Sequence, residues 1–381
     1  MLKKLIVIMA LFALVTGAAF AQVVFGGQMQ MGSMLFSGNN VNGNDVTLGG
    51  NYDGAYKEAK ISMVLGDGKA GGRMVYTLAN PTNDMWGWFM WRPNQYFKLR
   101  IGKDGDGEGG FPQIIGWGFT GEAKNSVASL SDYNGSLAMQ YRNAGLNYGA
   151  FDGISSFNFQ LSVFPIDMLQ VSFLFRGFDS PEPVEEKLAN MQIWAQYKIE
   201  EIGTVRFAAV GNGAFADITT EGGNIGTFHL AFHTTEIVRG LAFEFGGQYN
   251  LPRVGVETFD GIRLAGGINM TTLTDPFNLK VRMGTQFGGK TKGETNEKWG
   301  YSIGLLPSYK LPKLTIFCHL GLGLEQDKKE EDVKYDWFIN PYIWMPLGGM
   351  RMWVGIQIID EHTQNAGQFG WKIPFGFNFY F

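Results

Sequence analysis

Apolar and polar residues alternate one by one along most of this chain. Leu169, Val171, Phe173 and Phe175 share one parity, and Gln170, Ser172 and Arg176 share the other. Met191, Ile193, Ala195, Tyr197 and Ile199 likewise oppose Gln192, Gln196 and Lys198. Ile262, Leu264, Ile268 and Met270 oppose Arg263 and Asn269, and Phe277, Leu279, Val281 and Met283 oppose Asn278, Lys280 and Arg282. Met352, Val354, Ile356 and Ile358 oppose Arg351 and Gln357. Period two puts successive side chains on opposite faces of an extended strand, so each strand has one apolar and one wet face. No stretch after Gln22 keeps a helical period of comparable length.

The links between these strands alternate as well. Short ones fall at Arg92-Pro-Asn94, Pro165-Ile-Asp167, Glu200 to Gly203, Leu311-Pro312 and Pro346-Leu-Gly-Gly349. Long polar ones lie between them, at Ser37 to Asp45, Gly211 to Asn224, Gly288 to Glu297 and Glu325 to Val333. Short turns at one end and long loops at the other describe an all-β, antiparallel, up-and-down transmembrane barrel, with periplasmic turns and outer loops. The punctuation predicts about 18 strands, or 16 if Tyr133 to Ser156 and the hairpin near Gly66 to Gly72 do not form. A tilted strand needs roughly 9–11 residues to cross a bilayer, which the chain length accommodates. No domain boundary falls within residues 22–381, read as one barrel.

Composition changes the picture in one respect. Glycine is 54 of 381 residues and aromatics are 14%, against about 7% glycine in an average chain. Glycine weakens a strand but lets a large neighbour lie over the backbone, and barrels carry aromatic girdles at both interfaces. Trp86, Trp88 and Trp91 beside one short turn, and Trp337, Tyr342 and Trp344 near another, are expected in such girdles, facing lipid rather than a core. Charge is low at 17%, and 31 basic against 35 acidic residues give −4. The sequence pI near 5.7 argues against nucleic acid as a partner. Cys318 is the single cysteine, so a disulfide scaffold is excluded.

The first 21 residues have the form of a cleaved secretory signal. Lys3 and Lys4 precede an apolar stretch from Leu5 to Val15, and Ala19-Phe20-Ala21 supplies the small-x-small cleavage pattern. The stretch is shorter than the roughly 20 residues of a spanning helix. No cysteine lies near the cleavage site, which excludes a lipoprotein anchor. Removal of Lys3 and Lys4 would leave 29 basic and 35 acidic residues, a net −6.

The chain ends Pro374-Phe-Gly-Phe-Asn-Phe-Tyr-Phe381, with phenylalanine at 375, 377, 379 and 381. A final strand would project all four from one face. Here the sequence resembles the outer-membrane β-barrel proteins of diderm bacteria, porins among them, which end in a strand with a terminal Phe and aromatics at alternate positions. The resemblance extends over the whole chain but is to the class, with no subfamily motif. It implies location in the bacterial outer membrane, contact with its lipid, and reading of Phe377, Phe379 and Phe381 by the barrel-assembly machinery. It also allows a homotrimer.

If the apolar parity faces lipid, the other parity lines the lumen. Lys98, Arg100, Arg176, Lys198, Arg206, Arg263, Lys280 and Arg282 fall there, as do Arg73, Lys298 and Arg351, with Glu200 and Glu244 the clearest acids. The remaining acids concentrate in loops. Rings of Arg and Lys favour anions, although any porin interior is polar. The longest link, Lys103 to Asp132, is the third outer loop. In general porins the third loop folds inward, so Asp104, Asp106 and Glu108 would face the basic wall across a constriction; the signature of that loop is absent here.

Other motifs fail. Asp104-Gly-Asp-Gly-Glu-Gly109 begins like a calcium loop, but Ile115 stands where a bidentate Glu is needed. Gly116 to Gly121 has dinucleotide-fingerprint spacing without its strand and helix. His229 and His233 would lie about 13 Å apart on a strand, too far for one metal ion. No nucleophile elbow or zinc spacing occurs, so no enzyme, metal or cofactor is expected. The sequence therefore reads as a porin-like channel for passive diffusion of small hydrophilic solutes, with an anion preference. The alternatives are a ligand-specific uptake channel of the fatty-acid-transporter type and a non-conducting structural or adhesive surface barrel.

Overall fold

The computed structural model describes residues 21–39, 46–48, 56–65, 69–78, 83–103, 157–175, 191–211, 224–234, 238–252, 262–274, 276–289, 298–327, 333–361 and 368–380. Among them are twenty strand segments in one antiparallel sheet. These are β1 (Ala21–Asn39), β2 (Val46–Leu48), β3 (Tyr56–Leu65), β4 (Ala70–Leu78), β5 (Asn83–Asn94), β6 (Phe97–Lys103) and β7 (Phe157–Ile166). Next come β8 (Leu169–Phe175), β9 (Gln192–Ile199), β10 (Gly203–Gly211), β11 (Asn224–Thr234), β12 (Leu241–Pro252) and β13 (Ile262–Thr274). The last are β14 (Phe277–Gly289), β15 (Lys298–Leu311), β16 (Leu314–Asp327), β17 (Val333–Leu347), β18 (Met350–Gly355), β19 (Gln357–Glu361) and β20 (Gln368–Tyr380).

The twenty segments make eighteen staves. β2 and β3 lie in succession along β1. β18 and β19 lie in succession between β17 and β20 in one unbroken register. The interruption at Ile356 falls beside Pro341 and Pro374 on the flanking strands, which have no N–H to give the ladder, and Ile356 N donates to the Pro341 carbonyl at 2.9 Å. Each stave pairs with the next in sequence, and β1 pairs with β20 from Gln28↔Tyr380 to Asn39↔Gly370, closing the ring. Closure removes the unpaired edges that a bilayer does not tolerate. The number eighteen is thus reached by the described residues alone, with the hairpin of β3 and β4 among them. Tyr133 to Ser156 lies outside the described residues.

The links sort by end as expected. β5 and β6, β7 and β8, β9 and β10, β13 and β14, β15 and β16, and β17 and β18 are joined within a few residues at one rim. The turn between Leu347 and Met350 has two residues, and Gly348 supplies the φ of 63° that such a hairpin requires. Both described chain ends, Ala21 and Tyr380, belong to the same rim. Lys103 to Phe157 is the third link at the opposite rim.

Burial identifies inside and outside. On β17, Tyr335 and Ile339 are exposed whereas Asp336, Phe338, Asn340 and Tyr342 are buried. Ser162, Ser172, Trp194, Ala208 and His229 form one continuous buried row across five strands. The exposed row Phe245, Gly266, Met283, Ile303 and Leu322 runs on the opposite face. The apolar parity therefore points outward and the mixed parity inward. A closed antiparallel ring with an apolar outer band is the architecture of an outer-membrane barrel.

Candidate functional site

The inward face carries two unlike arcs. One spans β5 to β10 and is basic and hydrogen-bonded. Arg100 is only 8% exposed, and its guanidinium lies 4.3 Å above the Trp88 ring. Such stacking suits a planar, weakly hydrated cation. Lys98 stands opposite Ser162 and Arg100 opposite Gln160. Arg92, at the rim, rests 5.0 Å above Phe164 and donates to the Gln95 carbonyl at 3.3 Å. Gln160 Nε2 donates to Ser162 Oγ at 3.3 Å, the Ser162 and Ser172 hydroxyls meet at 2.8 Å, and Gln170 Nε2 donates to Ser172 Oγ at 3.1 Å. Arg206 Nε donates to Gln196 Oε1 at 3.2 Å. Bonding of this kind, along β7 and β8 and across strands at Ser162–Ser172 and Arg206–Gln196, fixes polar side chains that are shielded from bulk water.

The other arc spans β15 to β18, nine places around the ring of eighteen. Leu306, Phe317, Phe338, Tyr342 and Trp353 face inward and are all buried. Phe317 stacks on Tyr342 at 4.8 Å and 8°, and Trp344 tilts against Phe317 at 5.0 Å. Arg351 sits 4.6 Å above Trp344. His319 meets Phe338 edge-on at 4.7 Å. Gly321 explains how Phe338 fits: a Cβ there would fall on its ring, so the aromatic lies directly over bare backbone.

Lys98, Arg100, Arg206, Lys280 and Arg351 occupy inward positions, and Lys198 does so at the short-turn mouth, where it is exposed. Arg263, Arg282, Arg73 and Lys298 occupy inward register positions, but their side chains lie outside the described residues. Arg176, Asp104, Asp106, Glu108 and Phe381 lie outside altogether. Phe375, Phe377 and Phe379 point outward together on β20, with successive rings 6.4 and 6.5 Å apart. Glu244 is an inward acid, its side chain fully buried and 3.7 Å from His233. His229 also faces inward, as a polar wall residue.

Two expectations are corrected. Glu200 is not a wall residue, because the chain turns at Glu200–Glu201 before re-entering the sheet at Gly203. The aromatics do not all face lipid. Trp91 is exposed outside, and Trp337 faces outward with Nε1 donating to Asp360 at 3.0 Å. Trp88, Trp194, Tyr342, Trp344 and Trp353 face inward instead. A wide ring offers inner surface that side chains must also cover, and glycines stand opposite three of these rings, Gly102 by Trp88, Gly355 by Tyr342 and Gly376 by Trp353.

This geometry defines a transmembrane β-barrel of the outer-membrane class. No protein-family model and no characterised protein sequence matches the chain. Among solved structures it is similar to OmpT expressed in the outer membrane of Vibrio cholerae, at 10% identity and a TM-score of 0.49, covering 96% of this chain and 99% of that one. It is also similar to the in-vitro folded trimer form of that OmpT, at 10% identity and 0.47, covering 95% and 100%. A Rh. blastica porin mutant follows at 12% identity and 0.44, covering 94% and 100%. The expectation that the chain is no enzyme is withdrawn: outer-membrane OmpT stands first among these neighbours, beside porins, and the shared barrel does not assign catalysis or its absence.

Proposed function

We propose that the protein is a porin-like outer-membrane channel through which small hydrophilic solutes diffuse, with a preference for anions. The observation that carries this reading is the basic, hydrogen-bonded arc from Arg92 to Arg206 on the inner wall. Barrels of 16–18 strands are wide enough for an aqueous passage, and inward Arg and Lys attract anions into it. Among inward positions with described side chains, Arg92, Lys98, Arg100, Lys198, Arg206, Lys280, Arg351 and Lys372 stand against the acids Glu244 and Asp336. The third outer loop, through Asp104, Asp106 and Glu108, narrows the passage. Met1–Ala21 directs export, the phenylalanines of β20 and Phe381 address the chain to the barrel-assembly machinery, and the assembled form is a homotrimer.

Osmotic swelling of liposomes tests passage. Vesicles holding the barrel swell in small uncharged sugars, at rates that fall as solute size rises. Rates equal to empty vesicles would remove the channel. The buried aromatic arc favours a second reading, a ligand-specific uptake channel for a solute with an apolar face. Swelling limited to one solute class would select it.

A further inference from the structure

The outward face of β10 to β16 carries a concavity of about 1320 Å³. Its floor is made by glycines that point at lipid. Gly247 stands between Leu230 and Leu264 in one row, and Gly266 between Phe245 and Met283 in the next. The walls are large exposed side chains, with Leu230 59%, Phe245 60% and Met283 53% exposed. Almost nothing polar lines it. It reaches Tyr249 and Ile262, beside the long link of residues 252–262, so it opens towards the long-loop rim.

The protein itself does not require Gly266. An added Cβ would meet only the Glu244 carbonyl at 3.5 Å and Phe245 Cβ at 3.9 Å, ordinary contacts, whereas the inward Gly321 would be blocked by Phe338. The inward glycine answers a side chain of the barrel. The outward one keeps a space open.

We propose that this groove is a binding site for the acyl chains of one diacyl membrane lipid. At the about 30 Å³ of a water-sized group, its volume holds roughly forty such groups, the size of two membrane-length chains. In each row one glycine separates walls that stand two strand spacings apart, about 10 Å. A flexible chain follows a channel of that width, and gains wall contacts on three sides that a chain on a convex barrel lacks. A second barrel presents a broad convex wall that bridges the rims without reaching the floor. The apolar lining also offers no hydrogen-bond partner to a peptide backbone, which excludes a strand as occupant.

The test uses the full barrel in phosphatidylcholine vesicles doped with a phosphatidylcholine carrying a diazirine midway along one acyl chain. After photolysis, adducts are mapped by peptide. Ile316 and Ile339, outward and similarly exposed on β16 and β17, serve as reference positions. The site predicts adducts at Phe245, Leu264 and Met283 about five-fold above the reference, a preference of about 1 kcal/mol. Gly266→Leu abolishes the excess, and Gly266→Ala, which the surroundings admit, reduces it. Heat-modifiable gel migration reports that each variant is folded. Equal labelling at all outward positions would overturn the proposal. So would an unlabelled groove accompanied by loss of a detergent-resistant oligomer in Gly266→Leu, which would assign the groove to a second copy.

Discussion

Gly321→Ala isolates the fit between an inward glycine and the aromatic arc. Phe338 is 1% exposed, its ring lies where a Cβ on Gly321 would fall, and His319 abuts it 4.7 Å away. The ring has no solvent-side space to enter, so the methyl overpacks the site and costs about 1–3 kcal/mol. Phe338→Ala removes the buried ring and costs about 3–5 kcal/mol. In the double variant the added methyl has vacated space beside it, and its own cost falls below about 0.5 kcal/mol. The cycle therefore predicts a coupling of about 1–3 kcal/mol. Urea unfolding of the barrel in phosphatidylcholine vesicles, followed by tryptophan fluorescence and heat-modifiable migration, measures all four corners. Equal cost of Gly321→Ala with and without Phe338 would refute the contact and, with it, the account of why that glycine is there.

Other outcomes follow from the same geometry. A unit charge about 4 Å from a passing ion in water is worth about 1 kcal/mol, so removing the two exposed charges of the short-turn mouth in Arg92→Ala/Lys198→Ala lowers anion preference about five-fold or more at low salt in planar bilayers. The effect shrinks in 1 M salt, where the Debye length is about 3 Å. Gly348→Ala, at φ 63° with open space around its Cβ, loses about 1 kcal/mol to conformation alone, whereas Gly349→Ala, equally open, leaves the urea midpoint unchanged. Ser162→Val deprives the buried Ser172 hydroxyl and Gln160 amide of their shared partner and destabilises by about 1–3 kcal/mol in the same titration. Phe377→Ser/Phe379→Ser lowers the yield of folded barrel in proteoliposomes containing the barrel-assembly machinery.

Strand number and facing were legible because a half-wet strand writes its two faces into alternate residues. Leu169 to Phe175 and Ile262 to Met270 have the outward parity their side chains announce. The closing pair of β1 and β20 was legible only as an ending rich in phenylalanine, since register between strands at opposite ends of a chain leaves no local mark. In β1 a bulge at Leu35 shifts that register and leaves Leu35 and Phe36 both exposed, breaking the period on which parity depends.

Lys98, Arg100, Arg206, Lys280 and Arg351 stand at inward register positions, because charge is excluded from the lipid face and only one alternative face remains. The aromatic arc was not read. Phe338 sits on the polar parity between Asp336 and Asn340, and Trp194 between Gln192 and Gln196, yet an apolar residue is tolerated on either side of a barrel wall, so hydropathy alone does not place it. The lipid-facing glycines were invisible for the same reason. A residue without a side chain has no parity, and Gly247 and Gly266 acquire meaning only beside Phe245 and Met283 on the neighbouring strands.

The proposed conducting, basic passage is read out by a planar-bilayer recording under a potassium chloride gradient. A channel of this kind gives stepwise conductance and a reversal potential displaced towards the chloride equilibrium value. A barrel shown to be folded that gives no steps, or one that reverses towards the potassium value, would contradict it.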